Sequence, residues 1–240
     1  DNDNASKTLN SGALTAGSQR PLVGVVSRLV GQKQIDTILQ MLEDIQAKRR
    51  KDVGIDLVIL GTGENWLEDS LANFVSKYSD NTIVYIRAYS NELSRMIYAG
   101  ADMLLVPSDY EPSGLTQMIA MRYGVVPIVR KTGGLADTVF ELQERWTGFV
   151  FEGVYRAFDN PEEDAVKKNI NTDQLYLAVR RAVNIYRNQE LWDRIITNAM
   201  QTNNRWSRSL GDYMNVYHWL NEELLGASSP VTREAIEALK

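Results

Sequence analysis

From Leu22 to Phe151, short apolar runs alternate with longer segments in which apolar residues recur at helical spacing, and no other feature of the chain constrains its fold so tightly. The runs at 22–26, 56–60, 82–86, 102–106 and 125–129 are nearly continuous rather than alternating. Strands covered on both faces of a parallel sheet read this way. After the first run, Ile35, Ile38, Leu39, Leu42 and Ile45 fall on one helical face, with Glu43, Asp44 and Lys48 on the other. Leu67, Leu71, Phe74, Val75 and Tyr78 repeat the pattern after the second run. Further helices are expected over 92–99, 115–123 and 131–137, and a short strand at 148–151. Strand and helix in steady succession imply βαβ units. The expected fold class is α/β, a doubly wound, Rossmann-like parallel sheet with a helical tail.

Residues 1–19 are rich in Asn, Ser, Gly, Thr and Ala, with Leu9 and Leu14 as their large apolar side chains, and read as a linker or frayed terminus. One domain with its carboxyl-terminal helices is expected over 20–225, and a tail over 226–240. Within the domain, 152–171 reads as an irregular excursion, because acids, Lys and Pro161 interrupt any period. At 240 residues and 44% apolar content the chain can bury a sizeable core. The lack of Cys excludes disulfides, thiolate metal sites and Cys nucleophiles, and fits a reducing compartment. With one His, neither a metal nor a cofactor is expected. The net charge of −5, with 48–51 as the one basic run, argues against a nucleic-acid partner. No stretch approaches the ~18 apolar residues of a membrane span.

The residues that carry chemistry gather where these runs end. Glu-Pro-Ser-Gly-Leu-Thr-Gln at 111–117 follows the fourth run, and ligands of open α/β sheets bind outside the carboxyl ends of the strands. Pro112 fixes one dihedral there, and Gly114 lets backbone N–H groups approach a ligand. Taken alone, Glu111 reads better as a solvated loop acid, and only the motifs elsewhere in the chain overturn that reading. After the first run, Arg28 and Lys33 stand five residues apart at the entrance of a helix. Such a pair suits a diphosphate, because Arg forms a bidentate fork, Lys adds a point charge and the helix N-terminus adds its dipole. After the fifth run, Thr132-Gly133-Gly134 either presents successive N–H groups to an anion or makes a tight turn. Gly61-Thr62-Gly63 lacks the third Gly of a dinucleotide fingerprint and reads as a turn. A doubly wound sheet converges the loops at 28–33, 111–116 and 132–134 on one crevice. Cations for phosphates, with a carboxylate and amides for hydroxyls, describe a nucleotide sugar.

The strings SRLVGQK, EPSGLTQ and MRYGVVPIVRKTGGLADTV, with the pattern from Trp206-Ser207 to Tyr213, resemble the carboxyl-terminal half of bacterial glycogen synthases and plant starch synthases. These are glycosyltransferase family 5 enzymes of GT-B fold, and the similarity runs over 22–220. The resemblance implies a retaining glucosyltransferase that moves glucose from ADP-glucose to the 4-hydroxyl of an α-1,4-glucan, with this half as its nucleotide-sugar-binding domain. It implies that Arg28 and Lys33 bind the diphosphate and that Glu111 contacts the glucose hydroxyls, the three being the catalytic set. It assigns Ser113, Gly114, Leu115 and Thr116 to sugar and phosphate, Tyr89 to adenine, and Thr132, Gly133 and Gly134 to the donor site. The implied partners are ADP-glucose or ADP, an α-1,4-glucan acceptor and the amino-terminal GT-B domain of the same enzyme. The implied compartment is the bacterial cytoplasm or the plastid stroma.

The chain departs from the family pattern in three places. Asp109-Tyr110 stands where Arg-Phe is usual, which puts a negative charge near an anionic donor, and Ser113 stands where Cys is common. The amino-terminal Lys-Gly-Gly loop and active-site His of the family have no counterpart here, and His218 reads as a helical surface residue. A family 4 enzyme using a UDP- or GDP-sugar would carry a second Glu eight positions after Glu111, where Ile119 stands. A non-catalytic nucleotide- or glucan-binding module is the alternative from another class. Because such a crevice needs two halves to exclude water, the isolated chain is expected to be inactive or weakly active. Whether a polymer-binding surface extends to Trp192, Trp206 and Trp219 is open at this point, helical Trp being more often core than a sugar platform.

Overall fold

The apolar runs form strands of one sheet in the computed structural model, which describes residues 9–78, 82–141, 144–156 and 160–225. The expected tail at 226–240 lies outside the described residues. In chain order the strands are β1 (Leu9–Leu14), β2 (Leu22–Val26), β3 (Asp56–Leu60), β4 (Thr82–Arg87), β5 (Met103–Val106), β6 (Val126–Arg130) and β7 (Phe149–Phe151). The helices are α1 (Ile35–Gln46), α2 (Asn65–Lys77), α3 (Asn91–Gly100), α4 (Thr116–Tyr123), α5 (Gly133–Thr138), α6 (Pro161–Tyr186), α7 (Gln189–Gln201) and α8 (Trp206–Leu225).

Across the sheet the order is β1-β4-β3-β2-β5-β6-β7, and all neighbours are parallel except β1 with β4. After edge strand β1 the chain enters the middle of the sheet at β2, steps outward through β3 to β4, then crosses back and builds β5, β6 and β7 on the other side. Strand order reverses between β2 and β5, so the switch point of a doubly wound sheet lies between those two strands. Helices cover both faces. Ile38, Leu71, Leu175 and Ile195, from α1, α2, α6 and α7, share one core with Leu57 and Ile128. Ile97 of α3 packs with Val58 and Leu60, and Ala120 of α4 and Leu135 of α5 pack with Leu104 and Val129.

Two segments differ from expectation. Residues 9–14 are an edge strand, with Leu9 opposite Arg87 and Leu14 opposite Thr82, rather than part of a linker. A strand of small side chains is held by its ladder more than by apolar burial, so composition hides it. The segment 152–171 is not irregular throughout, because α6 begins at Pro161. Asn160 caps it, its side-chain oxygen accepting from Glu162 N at 3.1 Å and Glu163 N at 3.3 Å. Proline and acids then fill the first turn, where they suit the free N–H groups and the dipole.

Residues from Thr202 onward form a separate compact unit containing α8, in which the Trp206 and Tyr213 rings lie 5.5 Å apart. Trp192 is a core residue, its ring 5.2 Å from Tyr186 and 6.4 Å from Phe149. Trp206 and Trp219 are exposed rather than core, and His218 is exposed on the same helix. No helix among the described residues is long and apolar enough to cross a membrane.

Candidate active site

The loops after β2 and β3 continue the sheet's ladder beyond its strands. Ser27 N donates to Leu60 O at 3.1 Å, Leu29 N to Thr62 O at 2.9 Å, and Glu64 N to Leu29 O at 2.7 Å. Gly63 approaches Leu29 so closely that a Cβ would stand 2.0 Å from its carbonyl oxygen, which explains a glycine in the Gly61-Thr62-Gly63 turn. The extension holds the backbone around Arg28, whose side chain is exposed, and leads through the turn Gly31–Lys33 to Lys33. The loop after β5 is tied to it. Asp109 N donates to Gln32 O at 2.8 Å, and Gln32 Nε2 donates to Tyr110 O at 2.6 Å.

Across this seam Lys33 Nζ donates to Glu111 Oε2, and Ser108 Oγ donates to the same oxygen at 3.2 Å. The Lys33 and Glu111 side chains are 18% and 14% exposed, so the pair is partly withdrawn from water. A cavity of about 20 Å³ is bounded by Ser27, Lys33, Ser108, Glu111 and Thr116. Two residues that the sequence places far apart thus meet at the switch point.

The turn after β6 supports the Glu111 loop directly. Gly134 N donates to Glu111 O at 2.9 Å, and a Cβ on Gly134 would lie 2.0 Å from Ser113 O. Of the two readings of the paired glycines, the geometry favours the tight turn, since Gly133 has a φ of 40° and the N–H of Gly134 is spent on the Glu111 loop. Thr132 Oγ1 donates to Asp109 O at 3.4 Å. Gln117, fully buried, adds a second support: its Nε2 donates to Ser113 O and Gly114 O at 3.0 Å each and to Thr138 Oγ1 at 3.1 Å. Ser113 and Leu115 remain exposed, while Gly114 and Thr116 are half-buried.

Asp109 does not put its charge toward a ligand as expected. It is 4% exposed, paired with Arg130, and accepts from Arg156 N at 2.8 Å. Burial pushes its carboxyl up, and the Arg156 N–H and the Arg130 guanidinium oppose that rise. Arg156, 2% exposed, donates to Asp36 at 3.1 Å and to both oxygens of Asp164 at 2.8 and 2.7 Å. Its hydrogen bonds hold the Asp164 carboxyl below its usual value. This network joins the loop after β5 to the starts of α1 and α6, and the sequence reading missed Arg156 because it lies in the stretch taken as irregular.

Arg28 shares an open concavity with Gln32, Glu64, Trp66, Tyr110 and Tyr155. The three aromatic residues are 50–62% exposed, and Trp66 Nε1 donates to Glu64 Oε2 at 2.6 Å. Tyr89, 85% exposed, follows β4, two strands from β2, and does not line this concavity. Among the described residues, no group of three or more His, Cys, Asp or Glu could hold a metal ion.

Fold and crevice together define a Rossmann-like binding domain with a cation and a carboxylate facing each other across its switch point. The chain belongs to the glycosyl transferases group 1 family, whose model it matches over residues 6–182. It is 37% identical over 204 residues to the glycogen synthase of Clostridioides difficile, covering 85% of this chain and 38% of that one. To the glycogen synthase of Anoxybacillus flavithermus it is 38% identical over 217 residues, covering 89% and 40%. The catalytic domain of starch synthase IV from Arabidopsis thaliana, solved bound to ADP and acarbose, superposes with a TM-score of 0.68 at 32% identity, covering 86% of this chain and 40% of that one. The expected likeness to glycogen and starch synthases is borne out, and the fold is that of a GT-B carboxyl-terminal domain. The chain spans about two fifths of the length of these relatives.

Proposed function

We propose that this chain is the donor-binding half of a retaining α-1,4-glucan glucosyltransferase that uses ADP-glucose, a starch or glycogen synthase. The observation that carries the reading is the Lys33–Glu111 pair at the switch point, flanked by the exposed Arg28. The groups assigned by resemblance to the diphosphate and to the glucose are here side by side. The relatives named glycogen synthase, and the starch synthase solved with ADP and acarbose, support the same donor and acceptor classes.

In this reading Arg28 and Lys33 offset the charge that develops on the departing diphosphate, an electrostatic contribution that grows where water is excluded. Glu111 accepts hydrogen bonds from glucose hydroxyls and fixes the ring, and Ser113 to Thr116 meet sugar and phosphate. The acceptor 4-hydroxyl oxygen forms its bond to C1 as the bond from C1 to the diphosphate oxygen breaks. The hydroxyl proton passes to the departing phosphate. Attack on the face the diphosphate leaves retains the configuration, and no protein nucleophile is needed. Tyr89 packs on adenine, and Thr132 to Gly134 line the donor site chiefly by holding the Glu111 loop. Trp66, Tyr110 and Tyr155 offer aromatic faces suited to the sugar rings of an acceptor.

An amino-terminal GT-B half completes the site, and the enzyme works in the bacterial cytoplasm or the plastid stroma. Calorimetric titration with ADP-glucose and UDP-glucose, alongside elongation of a labelled glucan, tests the reading. ADP-glucose is expected to bind more tightly than UDP-glucose, and the 240-residue chain to elongate little or nothing by itself. Preference for UDP-glucose would overturn the donor assignment, and brisk elongation by this chain would overturn the half-enzyme assignment.

A further inference from the structure

The proposed reaction gives Lys33 and Glu111 to different parts of the donor, yet in this structure each is the other's partner. Lys33 cannot give its full charge to a diphosphate while Glu111 holds it. The two side chains are largely sheltered, and attraction between opposite charges at contact is several-fold stronger in such surroundings than in bulk water. Ser108 Oγ, bound to the same Oε2, keeps the carboxylate in place beside the ammonium. A second acid, the exposed Glu64, accepts from Gly31 N at 3.4 Å on the loop between Arg28 and Lys33.

We infer that Glu111 competes with the diphosphate for Lys33, and that the donor's glucose relieves this competition by engaging Glu111, so that the site discriminates nucleotide sugar from free nucleotide. The inference rests on the function proposed above. A nucleotide sugar brings both replacements at once, phosphate oxygens for Lys33 and hydroxyl donors for Glu111. Free ADP brings only the first. It leaves Glu111 a largely sheltered carboxylate bonded by Ser108 but no longer by Lys33, next to an anionic ligand, and stranding a charge withdrawn from water is costly. After glucosyl transfer the sugar is gone from the donor, Glu111 recaptures Lys33, and ADP is released. Glu111 is then a specificity determinant for the sugar-bearing nucleotide and an aid to product release, besides holding the glucose.

The test is a double-mutant cycle read by calorimetry, titrating ADP and ADP-glucose into the 240-residue chain and its Glu111→Gln, Lys33→Met and doubly substituted forms. Both substitutions nearly preserve shape, and thermal melting checks each fold. Ser108→Ala, which loosens the hold on Glu111, serves as a milder variant expected to shift ADP affinity in the same direction as Glu111→Gln. Glu111→Gln is expected to tighten ADP about fivefold or more, within the usual range of coupling between sites, while ADP-glucose gains less or loses. With Lys33→Met already present, Glu111→Gln is expected to leave ADP affinity unchanged. Unchanged or weaker ADP binding by Glu111→Gln overturns the inference, and leaves the donor site standing if ADP-glucose still binds. Equal tightening with and without Lys33 also overturns it, because the effect would then be direct repulsion of the diphosphate. No binding of either ligand by any of the four proteins removes the functional reading itself.

Discussion

The charges around Arg156 and those around Lys33 are of the same kinds and lie on neighbouring loops, but their surroundings differ. Arg156 is 2% exposed, and its guanidinium is shared among Asp36 and Asp164 while its backbone N–H goes to Asp109. Arg130 completes the set by pairing with Asp109 and donating to Gly153 O at 3.2 Å. At the switch point Lys33 and Glu111 form a single pair at the wall of a crevice, and Arg28 makes no ion pair among the described residues. A network whose donors and acceptors are largely consumed internally fixes loops in place. A pair with unused capacity beside an exposed guanidinium can exchange partners with a ligand. Charge alone therefore marks neither site as functional, and the difference lies in compensation and access.

Breaking the enclosed side of this comparison gives the largest effect. Arg156→Met takes the shared guanidinium from Asp36 and Asp164 while the backbone N–H bond to Asp109 remains, and a loss of about 3–5 kcal/mol is expected in denaturant unfolding, as when one member of a buried pair is removed. A loss under about 1 kcal/mol would place the network with surface ion pairs, which contribute little. Next in size is Gly134→Ala, whose Cβ would lie 2.0 Å from Ser113 O. The expected cost is about 1–3 kcal/mol, as for overpacking, with weaker ADP-glucose binding because the Glu111 loop must shift.

The open side is probed by Arg28→Ala. Unfolding free energy should stay within about 0.5 kcal/mol of the parent, while ADP affinity falls about tenfold or more with loss of a charged hydrogen bond. A large drop in stability would show that Arg28 belongs to the scaffold. The smallest effect concerns pH. The Arg156 hydrogen bonds hold the Asp164 carboxyl below its usual value, so its contribution is intact above the usual carboxylate range and is lost as pH falls through the lowered value. Asp164→Asn should therefore flatten the acid limb of stability against pH, measured by urea unfolding.

The same division explains what the sequence made legible. Strands β2 to β6 were evident because each is apolar nearly throughout, all but β4 being buried on both faces, and their order of succession with helices implied the switch point. Lys33, Glu111 and the glycine turns could then be placed on the crevice, since each directly follows a strand. Contacts between distant side chains were not legible. Asp109 was read as facing a ligand because its partners, Arg130 and Arg156, stand 21 and 47 positions away. Gln117 gave no signal for the same reason, its bond to Thr138 spanning 21 positions. The start of α6 did carry one in Asn160-Pro161 and the three acids that follow, but its first turns are exposed and show no apolar period. Edge strand β1 shows too few large side chains to announce itself, although its ladder to β4 is regular.

A crystal structure of this chain with ADP tests the central claim most directly. The account predicts the diphosphate at the carboxyl ends of β2 and β5, bound by the Arg28 guanidinium and by Lys33 Nζ. Diphosphate bound instead in the concavity at the opposite end of the sheet, lined by Arg20, Lys48, Arg49, Arg50 and Lys51, would contradict it.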